Sequence, residues 1–193
     1  MKKKNIAIIT GGNVAERGIS LKSAATIQKH LNKEHYNRFV IELEGTELVE
    51  QISRVPIDKN DFSLPVPDGS EIHFDLAFLM LHGHPAEDGC LQGYFQLIGI
   101  PCTGCDHFVS ALTFNKQACK NYLRPFDIPM AKSVLLHAGD WEVEKILNEL
   151  KLPLFVKPNK NGSSYGISKV VDAGELKTAI LKSFEFDKEV IVE

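Results

Sequence analysis

The stretch NIAIITGGNVAERGISLKSAATIQKHL, residues 5–31, decides the fold class. Its first six residues form a short isoleucine-rich run closed by Gly11-Gly12, the pattern of a buried strand that ends in a tight turn. After the turn, Ile19, Ala24, Ile27 and Leu31 recur at helical spacing, so a helix is expected over 19–31. Strand, glycine turn and helix make the first part of a βαβ unit. Two more apolar runs, YNRFVIELE (36–44) and FDLAFLML (74–81), supply further strands. CLQGYFQLIG (90–99) reads as a short helix and IPCTG (100–104) as a terminal strand, while the polar, proline-rich stretch 50–70 reads as loop. Strands alternating with helices imply a parallel sheet and an α/β domain over residues 1–104.

The pattern changes from residue 105 onward. DHFVSALTFNKQACKNYLRPF (106–126) predicts a helix that breaks near Pro125, and AKSVLLH (131–137) predicts a strand. DWEVEKILNEL predicts a helix over 140–150 with Asp140 as its N-cap. LPLFVKP (152–158) and SKVVD (168–172) predict two strands joined by a glycine- and serine-rich loop. A helix over 173–186 and a strand over 189–193 follow. This second region, 105–193, reads as an α+β unit built on an antiparallel hairpin. The sequence reaches Glu193 straight after Val190-Ile191-Val192, so it is expected to be a fragment cut at the end of a strand.

Composition narrows the class. Of 193 residues, 44% are hydrophobic and 24% charged, the balance of a globular protein with a sizeable core. A net charge of −3 argues against general affinity for nucleic acid. The basic start MKKK is not followed by the apolar core of a signal peptide. No apolar run reaches the roughly 18 residues of a membrane-spanning helix. Cys102 and Cys105 form a CxxC pair, but no second pair and no flanking base accompanies them. They are read as small side chains in a reduced compartment rather than as a redox or zinc site.

Ligands of α/β sheets bind beyond the carboxyl ends of the strands, and two loops fall there. GGNVAERGIS (11–20) carries Glu16, a carboxylate suited to a ligand ammonium or, more plainly, to a helix dipole. It lacks the spacing of either common nucleotide fingerprint. LHGHPAEDG (81–89) carries His82 directly after a buried strand, with Glu87 and Asp88 before the next helix. In the second region, Lys116 lies in the first helix and Lys157 ends a strand beside the loop Gly162-Ser163-Ser164-Tyr165-Gly166. A fixed cation under flexible amides suits phosphate, and an ordinary solvated hairpin explains the same residues equally well.

Four motifs in order, GGNVAERGISLKSA, LHGHPAEDGCLQGYFQLIGIPCTG, SALTFNKQACK and LPLFVKPNKNGSSYGISKV, make the chain resemble the D-alanine–D-alanine ligases of the ATP-grasp superfamily. The resemblance runs from residue 5 to residue 193. It implies an N-terminal α/β domain followed by the first ATP-grasp subdomain, the second subdomain lying beyond Glu193. It also implies ATP-dependent phosphorylation of one D-alanine carboxylate, then attack by the amine of a second D-alanine, in peptidoglycan precursor synthesis. By the same resemblance, Glu16 orients the ammonium of the first D-alanine, with Ser163 in the same network and His82 near that substrate. Lys116 and Lys157 hold ATP phosphates under a flap of Gly162, Ser163, Ser164 and Gly166, and Glu193 enters the adenine-binding hinge. Mg2+ or Mn2+ is implied, with ligands beyond residue 193, so the 193 residues alone are expected to be inactive. A cytoplasmic homodimer is implied as well.

Two departures bear on the substrate. Asn13-Val14 stands where the family usually has serine or threonine beside alanine, and Pro85-Ala86 where it usually has glycine. Both reduce backbone freedom near the expected substrate. D-alanine–D-lactate or D-alanine–D-serine ligation, and a non-catalytic module that binds an amino acid or a nucleotide, are the competing expectations.

Overall fold

The computed structural model describes residues 2–12 and 14–193. Asn13, half of the Asn13-Val14 departure, lies outside the described residues. The chain divides into two compact units, Met1–Ala111 and Leu112–Glu193.

In the first unit, β1 (Lys4–Gly11) is followed by α1 (Val14–His30), β2 (Tyr36–Glu44), β3 (Glu47–Glu50), β4 (Leu64–Pro65), β5 (Glu71–Ile72), β6 (Leu76–Leu79) and α2 (Cys90–Leu97). α3 (His107–Phe114) begins in this unit. One sheet has the order β3-β2-β1-β6, and β4 and β5 form a separate ribbon. β1 pairs in parallel with both β2 and β6, as the alternating strand–helix pattern requires, while β3 closes one edge antiparallel to β2. β1 is buried on both faces because its side chains alternate. Ile6 and Ile8 pack with Ala24 and Ile27 of α1, and Ala7 and Ile9 join the opposite core of Ile41, Phe62, Phe74 and Phe95.

Three expectations need correction here. α1 starts at Val14, not near 19, so Glu16 stands in the first helical turn and not in a loop. The stretch 50–70 is not all loop, because Glu50 closes β3 and Leu64–Pro65 pairs with Glu71–Ile72. The strand expected over 100–104 is only a single parallel bridge between Ala77 and Cys102. Pro101 has no N–H for a ladder, and the Thr103 hydroxyl accepts from Leu79 N instead.

The second unit contains α4 (Lys116–Leu123), a 3₁₀ turn (Arg124–Phe126), β7 (Val134–His137), α5 (Val143–Glu149), β8 (Leu154–Pro158), β9 (Ser168–Val170), a second 3₁₀ turn (Ala173–Glu175), α6 (Leu176–Phe184) and β10 (Glu189–Val192). Its sheet has the order β7-β10-β8-β9 and every pairing is antiparallel. Leu154 and Val156 of β8 and Val190 and Val192 of β10 share one core with Ile146 of α5 and Ile180 of α6. Strand alternation therefore sends Phe155 and Lys157 to the sheet's other face, where Lys157 stands opposite Ile191.

The single helix expected over 106–126 is two helices. Asn115 takes an extended conformation, its side chain accepts from Ala118 N, and it caps α4 ten residues before the proline. Asp140 is not an N-cap. Its N–H donates to His137 O in a turn, and α5 starts after Glu142.

Candidate functional site

At the carboxyl end of the first sheet, the backbone is drawn in until side chains no longer fit. Gly11 and Gly12 both have left-handed φ, and a Cβ on Gly11 would stand 2.6 Å from Leu43 O. Gly83, at φ +71, would place its Cβ 2.4 Å from Glu16 Oε2. The Glu16 carboxylate thus lies against the Gly83 backbone, and Glu16 is only 5% exposed. Glu16 is therefore not a surface acid, though its place in the first turn of α1 also suits the helix dipole. Ser20, one turn along α1, donates to Glu16 O and accepts from His82 N, so α1 and the β6 end are stitched together. Two of the expected site residues, Glu16 and His82, are therefore brought to one place.

The His82 ring is half-buried, and Nδ1 stands 3.7 Å from Glu87 Oε1. Its Nε2 is buried without a hydrogen-bond partner in the protein, the kind of polar atom that a ligand satisfies. Near the end of β2, Glu42 is buried and bonded to Arg17 of α1. The sequence reading passed over Glu42, whose only signal was a charged residue near the end of a buried strand.

The loop 83–89 is shaped by Asp88. Its carboxylate meets His84 Nδ1 at 2.5 Å and accepts from Cys90 N at the start of α2. Burial pushes the Asp88 carboxyl up, yet the hydrogen bonds from His84 and Cys90 outweigh it and hold the group below the usual range. Ala86 is buried and lacks a left-handed φ, so alanine in place of glycine costs this loop no strain. Gly89 is the residue that needs its freedom, since a Cβ there would lie 2.4 Å from His107 O. The four cysteines are free, and burial pushes the Cys102 thiol up, away from thiolate chemistry.

In the second unit, Lys116 opens α4 and turns its ammonium onto the loop after β8. It donates to Pro158 O and Asn161 O at 2.9 Å and to Asn159 O at 3.4 Å. Burial and then the charge of Lys157 push its pKa down. Lys157 pairs with Glu193, and Glu193 is shared with Lys120 at 3.0 Å. Burial raises the Glu193 carboxyl, but bonds from Lys157 and Lys120 leave it below its ordinary value. Lys120 was not read from the sequence; its lone signal was its place one helical turn after Lys116.

The loop itself is well anchored. Gly162 N donates to Asn161 Oδ1, Tyr165 stacks on Phe186, and Gly166 passes so close to Phe186 and Pro158 that a Cβ would lie 2.7 and 2.9 Å from them. The left-handed residues are Ser163 (φ 46), Ser164 (φ 60) and Gly166, not Gly162. Two serines held in that region mark a strained segment of the type that clusters at ligand sites.

The family description "D-ala D-ala ligase N-terminus" matches residues 5–105, and "D-ala D-ala ligase C-terminus" matches residues 122–193. The chain belongs to the D-alanine–D-alanine ligase family. It is 43% identical to the D-alanine–D-alanine ligase of Phocaeicola vulgatus and 45% identical to that of Parabacteroides distasonis, over 99% of its own length in each case. It spans 60% and 59% of the length of those relatives. Among solved structures, D-alanyl-alanine synthetase A from Vibrio cholerae superimposes with a TM-score of 0.89 at 29% identity, covering 100% of this chain and 59% of that one. The VanG D-Ala:D-Ser ligase of Enterococcus faecalis gives 0.86 at 33% identity, covering 100% and 62%. A Bacillus anthracis D-alanine–D-alanine ligase complexed with ATP gives 0.78 at 28%, covering 98% and 58%. The mixed α/β architecture with its parallel sheet is the family's, and no described helix is long and apolar enough to cross a membrane.

Proposed function

We propose that this chain is the N-terminal part of an ATP-dependent ligase that joins two D-alanines through an acyl phosphate. The observation that carries the reading is the buried Glu16 carboxylate, held against Gly83 beside the unpartnered His82 Nε2. A small zwitterion fits such a place. Its ammonium pairs with Glu16, and its carboxylate is left pointing outward for phosphorylation.

The second unit is the first ATP-grasp subdomain on this reading, with Lys116 and Lys157 on the phosphates and residues 162–166 as the flap. An ammonium has three protons, and Lys116 points toward three carbonyls. The 3.4 Å contact to Asn159 O is the weakest and is the one a phosphate oxygen replaces. Lys157 likewise exchanges Glu193 for phosphate, which releases Glu193 toward the base. Ser163 is the flap residue assigned to the first substrate on this reading. Neutralising charge on the transferring phosphoryl group is the main task of such cations. Mg2+ or Mn2+ supplies further charge when bound, and none of the residues named here is assigned to it. A cytoplasmic homodimer making peptidoglycan precursors completes the reading.

D-alanine–D-serine ligation is the second reading, supported by the VanG neighbour at 33% identity. Phosphate release by the full-length protein, with ATP and a panel of D-alanine, D-serine and D-lactate, separates the two. D-alanine alone is expected to suffice, and turnover only with a second, different acid would overturn the first reading.

A further inference from the structure

Asn159 is 1% exposed and uses its whole amide. Its Oδ1 accepts from Gln117 N at 2.9 Å, and its Nδ2 donates to Asn115 Oδ1 at 3.0 Å and to Glu189 Oε2 at 2.9 Å. Its backbone is engaged too, with Asn159 O accepting from Lys116 N at 3.1 Å and Asn159 N donating to Glu189 O at 2.9 Å. Three N–H groups that open α4 (Lys116, Gln117 and Ala118) are thereby satisfied by Asn159 O, Asn159 Oδ1 and Asn115 Oδ1. Helix N-termini ordinarily leave these donors to solvent or to a ligand.

We propose that Asn159 is a positioning residue that fixes Lys116 relative to Lys157, and so sets the spacing of the two cations offered to the nucleotide. Lys157 lies two residues before Asn159 on β8, and Lys116 opens the helix that Asn159 holds. Carbonyls on both sides of Asn159, at Pro158 and Asn161, receive the Lys116 ammonium. One acceptor and two donors in a planar fork are what an asparagine amide supplies here, and an aspartate of the same shape lacks the donors. An aspartate would also face the Glu189 carboxylate. The inference rests on the reading that these lysines bind ATP phosphates.

The chemistry predicts an asymmetry between two neighbouring asparagines. Asn115 uses only its oxygen in this network, to accept from Ala118 N and Asn159 Nδ2, so Asn115→Asp preserves both bonds. In the full-length protein, Asn159→Asp is expected to weaken ATP binding by about tenfold or more, measured by calorimetry, with the KM for D-alanine within about twofold. Asn115→Asp is expected to stay within about twofold on both. Adding Glu189→Gln to Asn159→Asp restores a donor and recovers part of the loss. Equal effects of the two asparagine changes, or equal losses for ATP and D-alanine, would overturn the proposal. Amide hydrogen exchange at Gln117, whose N–H loses its acceptor in Asn159→Ala, measured without nucleotide, keeps the two ideas apart. Faster exchange with wild-type protein that ignores ATP would sink the function and leave the latch standing. Unchanged exchange would sink the latch.

Discussion

The first unit and the second build their candidate ligand ends from different materials. At the first, bare backbone does the shaping: Gly11 lets main chain approach main chain at Leu43, Gly12 lies against the Leu81 side chain, and Glu16 is pressed into the space left over Gly83. At the second, side-chain amides and charges do it: Asn159 holds the start of α4, Lys116 bonds the carbonyls after β8, and Glu193 joins Lys120 to Lys157. A site made by close backbone approach tolerates no added atom. A site made by charges and amides tolerates added atoms but not a change of donor into acceptor.

The largest effect is expected where that first rule is broken. Gly83→Ala places a methyl group on the Glu16 carboxylate at a left-handed backbone position. The KM for the first D-alanine should rise by about 100-fold, the scale of one lost charged hydrogen bond, while the KM for ATP holds. Equal rises in both would remove the distinction between the two ends. The matching change in the second unit, Lys157→Ala, should weaken ATP by about tenfold and leave D-alanine nearly untouched, measured by the same two constants.

A smaller effect concerns acid. Glu193 has a folded pKa below its ordinary 4.5, so its pairing with Lys157 and Lys120 contributes stability above about pH 4.5. That contribution is lost as pH falls through the lower folded value. Thermal melts of Glu193→Gln should therefore differ from wild type above about pH 4.5 and converge on it as pH falls through that lower folded value. A constant gap at every pH would show that the carboxylate charge is immaterial. The smallest change expected is Ser164→Gly. Releasing one serine from φ 60 should raise the melting temperature by about 1–3 °C, because the steric cost of the left-handed region is removed.

Much of the fold was legible because periodicity reports burial directly. β1, β2 and the loop-flanked β8 follow from apolar runs, and β2 matches its expected span, Tyr36–Glu44. Boundaries fixed by side-chain bonds were not legible. The break at Asn115 depends on one cap, and the loss of a strand at 100–104 depends on a proline and a threonine hydroxyl. That Glu16 and His82 stand at the carboxyl end of one sheet could be read from topology alone. The orphaned His82 Nε2, the burial of Glu16 and the Asn159 network could not, since each depends on atoms brought together from 30 to 70 residues apart.

The sharing of Glu193 between Lys120 and Lys157 has a consequence for binding thermodynamics. The carboxylate is a built-in counterion. On the proposed reading, a triphosphate reaching Lys157 displaces an anion tethered to the protein rather than anions drawn from solution. Fewer free ions are then released per lysine engaged. Nucleotide affinity should fall more gently with added salt than the number of lysines would suggest.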